Sequence, residues 1–297
     1  MLIGNIIDIK HLAVHDGPGV RTTFFFKGCP LRCKWCHNPE SQSAKPELGL
    51  LQNRCINCRM CAGICPNHIF ENSQHHIDRT ACTNCGKCVA ACPVNALELY
   101  GRDITLDDAL KAGLADKAFF ADNNGGCTLS GGEPLLQSDF AEALLSELKK
   151  HHIHTAVDTC GAVPWSSFEK ILPVTDLFLF DLKHPDPAEH KRLTGMDNVL
   201  LLENLQKLDQ TGKPIEVRIP LIPDYNSTPE ALAGFAAILG SLKNLTAVTI
   251  LPFHHARFKY QALDITEPLA GLEPCSDETA FMVKKFFTEH NIKVSEN

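Results

Sequence analysis

Two hydrophobic periods alternate along this chain, and each predicts its own kind of element. Six apolar runs have strand length: "TTFFFK" at 22–27, "CTLS" at 127–130, "IHTAVDT" at 153–159, "LFLFDLK" at 177–183, "IEVRIPLI" at 215–222 and "AVTILPF" at 247–253. Between the later runs, "SDFAEALLSELKKHH" and "TPEALAGFAAILGSLK" are amphipathic with the helical period. In the second of these Thr228 is placed to cap the helix, and Pro229 takes the first helical position, where a missing N–H costs nothing. The nearly continuous apolar runs predict a parallel sheet covered on both sides. Alternating strand and helix makes the fold class α/β with right-handed crossovers, and six strands predict a partial (β/α)6 barrel rather than a closed eight-stranded one.

Residues 50–100 replace this alternation with cysteines. Of the fourteen cysteines in the 297-residue chain, "CINCRMCAGICP" supplies Cys55, Cys58, Cys61 and Cys65, and "CTNCGKCVAACP" supplies Cys82, Cys85, Cys88 and Cys92. The two segments repeat at an offset of 27 residues, each reading C-x-x-C-x-x-C-x-x-x-C-P, the spacing of bacterial two-cluster ferredoxins. Three thiolates of the tight loop wrap one cubane, and the fourth ligand comes from the other half. Cys55, Cys58 and Cys61 are therefore expected to share a [4Fe-4S] cluster with Cys92, and Cys82, Cys85 and Cys88 to share one with Cys65. Zinc modules, the competing use of C-x-x-C pairs, separate two pairs by a longer loop. A disulfide framework is disfavoured because "MLIGNIIDIK" lacks the cationic start of a secretory signal, and a reducing compartment keeps thiols free. Residues 50–100 are thus expected to be an inserted ferredoxin-like domain stapled by its clusters, and residues 1–49 and 101–297 to be the barrel.

Three more cysteines, Cys29, Cys33 and Cys36, stand in "GCPLRCKWCHNPE" without a fourth. Three thiolates leave one iron of a cubane open, and an open position on a metal is where substrate chemistry occurs. A structural metal is the plainer alternative, but three ligands make an incomplete tetrahedron. The C-x-x-x-C-x-x-C spacing resembles that of the radical S-adenosylmethionine superfamily. That resemblance implies a cofactor whose methionyl amino and carboxylate groups chelate the free iron, with Trp35 packed on its adenine.

Polar residues close several of the predicted strands, where barrels gather their active groups. Gly131, Gly132 and Glu133 follow the second, Asp158 ends the third, Asp181 and Lys183 the fourth, Arg218 lies in the fifth, and His254 follows the sixth. Asp181 and Lys183 could be a structural ion pair as readily as a ligand site; together the five positions make a ring that suits a zwitterion. The motifs "HDGPGVR", "CHNPE", "SGGEP", "DTCG", "DLKHPDPAEHKRLTG" and "LPFHHARFKY", in this order, resemble the glycyl radical enzyme activating enzymes, relatives of pyruvate formate-lyase activating enzyme. The resemblance spans about residues 5–262, and its subgroup with a two-cluster insert activates dehydratases, decarboxylases and lyases.

That resemblance implies reductive cleavage of S-adenosylmethionine and removal of a hydrogen from a glycine of a partner enzyme. It assigns the methionyl ammonium to Gly131, Gly132 and Glu133, the carboxylate to Lys183, Arg218 and His254, and the ribose to Asp181. Asp158, Asp181 and Thr159 would border a monovalent cation. Asp16 and Arg21 of the "DGPG" loop would receive the partner's glycine loop. Three [4Fe-4S] clusters and a low-potential donor such as flavodoxin or ferredoxin complete the expectation.

Charge and composition remove other classes. A formal net charge of -7 without any Lys/Arg run offers nothing to a phosphate backbone, and no apolar run approaches the ~20 residues that span a bilayer; a cytoplasmic location is expected. A pure electron carrier leaves the barrel-forming residues unexplained, and a radical enzyme acting on a small molecule or another peptide is the nearer alternative. Cys127, Cys160 and Cys275 read as small apolar fillers. The pairs His75/His76 and His151/His152 read as solvated, and Asp224 stands where relatives often carry glycine.

Overall fold

The computed structural model describes residues 2–120 and 124–295. Strands are numbered along the chain: β1 (Ile3–Ala13), β2 (Arg21–Phe26), β3 (Glu47–Leu50), β4 (His68–Glu71), β5 (Gln74–Ile77), β6 (Leu97–Tyr100), β7 (Arg102–Thr105), β8 (Gly126–Gly131), β9 (His154–Thr159), β10 (Leu177–Asp181), β11 (Ile215–Leu221) and β12 (Leu245–Pro252). All six predicted strands form, and β2, β8, β9, β10, β11 and β12 lie side by side in parallel, in chain order. The sheet stays open. Its β2 edge is extended by β1 and then β7, both antiparallel.

Side chains alternate across these strands, so each strand serves two environments. One set, including Phe24, Phe26, Leu129, Val157, Phe178, Phe180, Val217 and Ile250, is packed with helical residues into the main core. The helices include α4 (Ser138–Lys150), which contributes Phe140, Leu144, Leu145 and Leu148, and α8 (Pro229–Gly240), which contributes Phe235. Burying one such Leu or Phe side chain stabilises the fold by roughly 1.5–3 kcal/mol. The predicted N-cap of α8 forms, with Thr228 Oγ1 accepting the Ala231 N–H at 3.3 Å. The opposite strand face is mixed rather than apolar throughout. Ala156, Leu177 and Leu179 form an apolar floor there, and toward the carboxyl ends the same face carries Ser130, Asp158, Asp181 and Arg218.

Residues 47–100 fold largely on themselves. β3 pairs antiparallel with β6, and β4 with β5. Between them lie α1 (Met60–Ile64) and α2 (Lys87–Ala90). The 27-residue repeat is visible in the backbone: Asn57 and Asn84 have φ of 55° and 53°, and Arg59 and Gly86 have φ of 63° and 73°. Leu48, Leu50, Ile77 and Leu97 pack directly against Cys61 and Cys88. Two cations fasten the segment to the sheet region. Lys27 at the end of β2 donates to the Glu40 carbonyl at 2.6 Å and to Glu47 at 3.0 Å, and Arg79 donates to the carbonyls of Leu48 and Ala262. No helix among the described residues is long and apolar enough to cross a membrane.

Candidate functional site

The three-cysteine loop leaves β2 through Gly28 (φ 95°) and is held by backbone from three directions. Gly28 and Cys29 donate to the carbonyls of Ser41 and Gln42, and Arg32 and Lys34 donate to those of Thr194 and Leu193, the last residues of α6 (Pro187–Thr194). The third support is α9 (Arg257–Ala262), whose Tyr260 hydroxyl donates to the Cys36 carbonyl at 2.9 Å and whose Lys259 ammonium donates to Asn38 at 2.6 Å and Glu40 at 2.7 Å. Thus "DLKHPDPAEHKRLTG" holds the loop at Arg32 and Lys34, and "LPFHHARFKY" clasps "CHNPE". Burial pushes the Cys33 thiol up to about 12 and raises Cys36. Cys29 is lowered, chiefly by a hydrogen bond with the Cys160 thiol. Burial makes the Cys33 and Cys36 thiols resist ionising unless a cation accompanies them, which fits a metal at the loop.

Above the apolar floor the polar ring assembles across neighbouring strands. In register, Asp181 of β10 stands opposite Arg218 of β11. Arg218 reaches Asp158 at 3.4 Å and the His15 carbonyl at 3.0 Å, and Asp158 also accepts from Ser130 at 2.7 Å. Lys183 pairs with Asp181 at 2.7 Å. Burial pulls this lysine down, but Asp181 and the Cys33 thiol outweigh it and hold Lys183 well above its ordinary value. Asp158 is pushed up to about 7 by burial, which Arg218 only partly opposes. Asp158 Oδ1 and Arg218 Nε are buried without a protein partner. Such atoms are costly to leave alone; a polar ligand entering the ring would satisfy them.

The "SGGEP" loop departs from its expected role. Glu133 is fully buried and accepts from the Thr159 hydroxyl at 2.9 Å, from Cys160 N at 2.8 Å and from Leu135 N at 3.1 Å. Its carboxylate is a strut between β8 and the end of β9, not a free partner for an ammonium. Gly131 and Gly132 remain partly open. A Cβ on Gly132 would stand 2.2 Å from the Gly28 carbonyl oxygen, so only glycine lets this loop rest on the cysteine loop.

Arg21 is likewise removed from the surface. Its guanidinium donates to the carbonyls of Pro18 at 3.0 Å and Cys127 at 2.7 Å and to the Thr128 hydroxyl, and burial lowers it to about 10. It braces the "DGPG" loop rather than touching what approaches it. Asp16 beside it is partly exposed and accepts from Thr23 at 2.9 Å. Of the groups expected around a monovalent cation, Asp158 and Asp181 share a face, but the Thr159 hydroxyl is committed to Glu133 because neighbouring strand residues point oppositely. Trp35 is 6% exposed and packed with Leu193, Ile222, Phe253 and Leu269. His254 is exposed and lies against His37, with ring centroids 4.0 Å apart.

In the segment of residues 47–100, two cavities divide the eight cysteines. Cys55, Cys58, Cys61 and Cys92 line one, and Cys65, Cys82, Cys85 and Cys88 line the other. These are the crossed sets that the spacing predicts, and four thiols around one cavity are a donor set suited to an iron–sulfur cluster.

The model of the radical SAM superfamily matches residues 23–236. The chain belongs to the radical SAM superfamily. Within it, the chain is 39% identical over 292 residues to the trans-4-hydroxy-L-proline dehydratase activating enzyme of Clostridioides difficile, covering 96% of both chains. It is 40% identical over 276 residues to the isethionate sulfite-lyase activating enzyme of Nitratidesulfovibrio vulgaris, covering 90% of this chain and 89% of that protein. This radical SAM protein is an enzyme of the glycyl radical enzyme activating class. Its fold is shared with a radical SAM methyltransferase from Sphaerobacter thermophilus, at a TM-score of 0.50 and 16% identity over 65% of this chain and 57% of that one.

Several residues of this radical SAM site escaped sequence reasoning. Tyr260, Lys259 and His37 hold the cysteine loop, yet each lies in a motif otherwise read for its neighbour. Ser130 had one usable signal, a polar residue in phase with Asp158 on the adjoining strand. Cys160, read as an apolar filler, is buried with Leu31 and Ala162 in a cluster against which Cys29 and Cys33 pack.

Proposed function

We propose that Cys29, Cys33 and Cys36 hold a [4Fe-4S] cluster and that the ring above β8 to β11 holds the S-adenosylmethionine that completes it. When bound and reduced, this pair supplies one electron to the sulfonium and a 5′-deoxyadenosyl radical that takes the α-hydrogen of a partner's glycine. The chain's own contribution is placement and charge. Lys183 and Arg218 offer cations to the carboxylate end of the ligand, and Asp181 accepts from the ribose. Gly131 and Gly132 leave backbone for the ammonium, and Trp35, with Ile222 and Phe253, gives the adenine an apolar wall. His254 closes the carboxylate side from the exposed end.

The partner is a glycyl radical enzyme, whose glycine loop would enter over residues 15–20. Asp16 faces that entry, and Arg21 acts as a positioning residue beneath it. A primary alkyl radical takes the nearest hydrogen, so distance at this entry decides selectivity. In the insert, the crossed sets of cysteines would carry two further [4Fe-4S] clusters and pass electrons from a low-potential donor such as flavodoxin or ferredoxin. The observation that carries the reading is the pair of unpartnered buried atoms, Asp158 Oδ1 and Arg218 Nε, in a ring whose Lys183 senses the Cys33 thiol.

The test is anaerobic reconstitution, with iron counting, followed by reduction with S-adenosylmethionine and a cognate glycyl radical enzyme. About twelve irons, 5′-deoxyadenosine and a glycyl radical doublet by electron paramagnetic resonance are expected. Deuterium placed on the target glycine should appear in the 5′-deoxyadenosine. Cleavage of S-adenosylmethionine without any radical on cognate partners would overturn the reading in favour of a different substrate.

A further inference from the structure

The histidines of residues 68–75 join the two cysteine cavities. His75, expected to be solvated, is 1% exposed and lines the cavity of Cys55, Cys58, Cys61 and Cys92. His68, also buried, lines the cavity of Cys65, Cys82, Cys85 and Cys88. His68 Nδ1 and His75 Nε2 are 2.9 Å apart, and His75 Nδ1 is 3.4 Å from Cys55 Sγ. The His75 ring is fixed in this pose by Phe70, stacked at 4.3 Å between centroids with planes 9° apart, whose own ring carries the Arg59 guanidinium at 5.6 Å.

With both rings neutral, one proton arrangement gives each of the two shortest contacts a donor and an acceptor; the remaining contact, His75 Nε2 to Cys61 Sγ, is longer at 3.8 Å. A thiolate at Cys55 can only accept, which puts the His75 proton on Nδ1; Nε2 then accepts from His68 Nδ1. A backbone donor serves each cavity, Ala96 N to Cys92 at 3.2 Å and Asn84 N to Cys82 at 3.4 Å. His75 has no counterpart. The 27-residue offset carries it onto Arg102, an exposed residue of β7.

We infer that His75, oriented by His68, is a positioning residue that donates a hydrogen bond to Cys55 and makes the cluster of Cys55, Cys58, Cys61 and Cys92 the more easily reduced of the two in the insert. Hydrogen bonds to cluster sulfurs raise the potential because reduction adds negative charge. The inference rests on the two-cluster reading of the insert, and iron counting tests that reading separately. A metal ion held by Cys61, His68 and His75, whose donor atoms lie within 4.8 Å of one another, would take Cys61 from its cluster and has its own signature below.

The experiment is a redox titration of the full-length reconstituted protein, followed by electron paramagnetic resonance, for wild type, His75→Phe and His75→Gln. About twelve irons in the wild type uphold the two-cluster reading, and about four would end it whatever the potentials do. With the insert clusters present, His75→Phe should lower one insert potential by about 59 mV, a tenfold change in its reduced-to-oxidised ratio, and leave the other in place at unchanged iron content. His75→Gln, which keeps an N–H on a polar side chain, should recover part of that shift. Unmoved potentials in His75→Phe overturn the inference. So does a loss of iron in both variants, which marks His75 as a ligand or a structural prop rather than a donor.

Discussion

The thiols of Cys29, Cys33 and Cys36 and the eight thiols of residues 55–92 belong to one chain and meet opposite surroundings. The insert's sulfurs lie among Leu48, Leu50, Ile77 and Leu97, with each set of four closed around its own cavity. The loop's three thiols lie within the influence of Lys183, one member of a ring of charges two of whose buried atoms have no protein partner. A metal enclosed by four ligands in an apolar shell has nowhere to bind a reactant. A metal with three ligands beside unsatisfied polar groups does. Ligand count and the polarity of the next layer together separate a centre that transfers electrons from one that does chemistry.

The largest effect falls on the loop. Cys36→Ala should remove about four of about twelve irons and abolish 5′-deoxyadenosine formation, while visible absorption from the insert persists. Retained cleavage would erase the distinction between the regions. Next is Arg218→Ala, which leaves Asp158 buried beside Asp181 without its cation. Breaking a buried pair costs about 3–5 kcal/mol. The S-adenosylmethionine concentration for half-maximal cleavage should rise about 100-fold or more, with iron content unchanged. Smaller still is Cys88→Ala in the insert. It should remove about four irons yet leave cleavage driven by a chemical reductant within about twofold, because that reductant can reach the loop cluster directly; turnover with a protein donor should fall further. The expected difference between the two reductants is what assigns the insert to electron delivery.

How much of this was legible differed between the same two regions. The insert's cavities follow the crossed spacing closely, because the tight C-x-x-C-x-x-C turn is local and its left-handed residues recur at Asn57/Asn84 and Arg59/Gly86. The ring was legible only as a set of positions. Strand alternation correctly put Asp181 on the face of Leu179, but which of the polar groups stay free depends on contacts between strands. Glu133 and Arg21 looked like ligands in their motifs and turn out to be spent on Thr159, Cys160, Pro18 and Cys127. β1 and β7 were missed because Asn5, Asp8 and Lys10 break the apolar run, as suits strands that see solvent near a sheet edge. Asp224, in place of a glycine, sits at φ 65°, a left-handed position that aspartate tolerates better than most residues.

The smallest expected effect bears on the vacancy itself. Cys160 lies at the end of β9, its backbone N–H held by Glu133 and its side chain in the apolar cluster against which Cys29 packs. It is thus a fourth sulfur beside a three-sulfur site, and were it a ligand the loop would be closed like the insert. Its surroundings suit a support: Glu133 holds its backbone N–H and it is buried with Leu31 and Ala162, so Cys160 is expected to back the loop rather than bind iron. Cys160→Ser keeps the backbone contact and a hydroxyl donor for Cys29 but offers a much poorer iron ligand. Iron content and the spectral change on adding S-adenosylmethionine should stay as in the wild type, with cleavage reduced by about threefold or less, since at most one hydrogen bond of about 1 kcal/mol is weakened. A loss of about four irons, or an electron paramagnetic resonance signal that no longer responds to S-adenosylmethionine, would instead mean that Cys160 belongs to the cluster. The two regions would then differ in their surroundings but not in their ligand count.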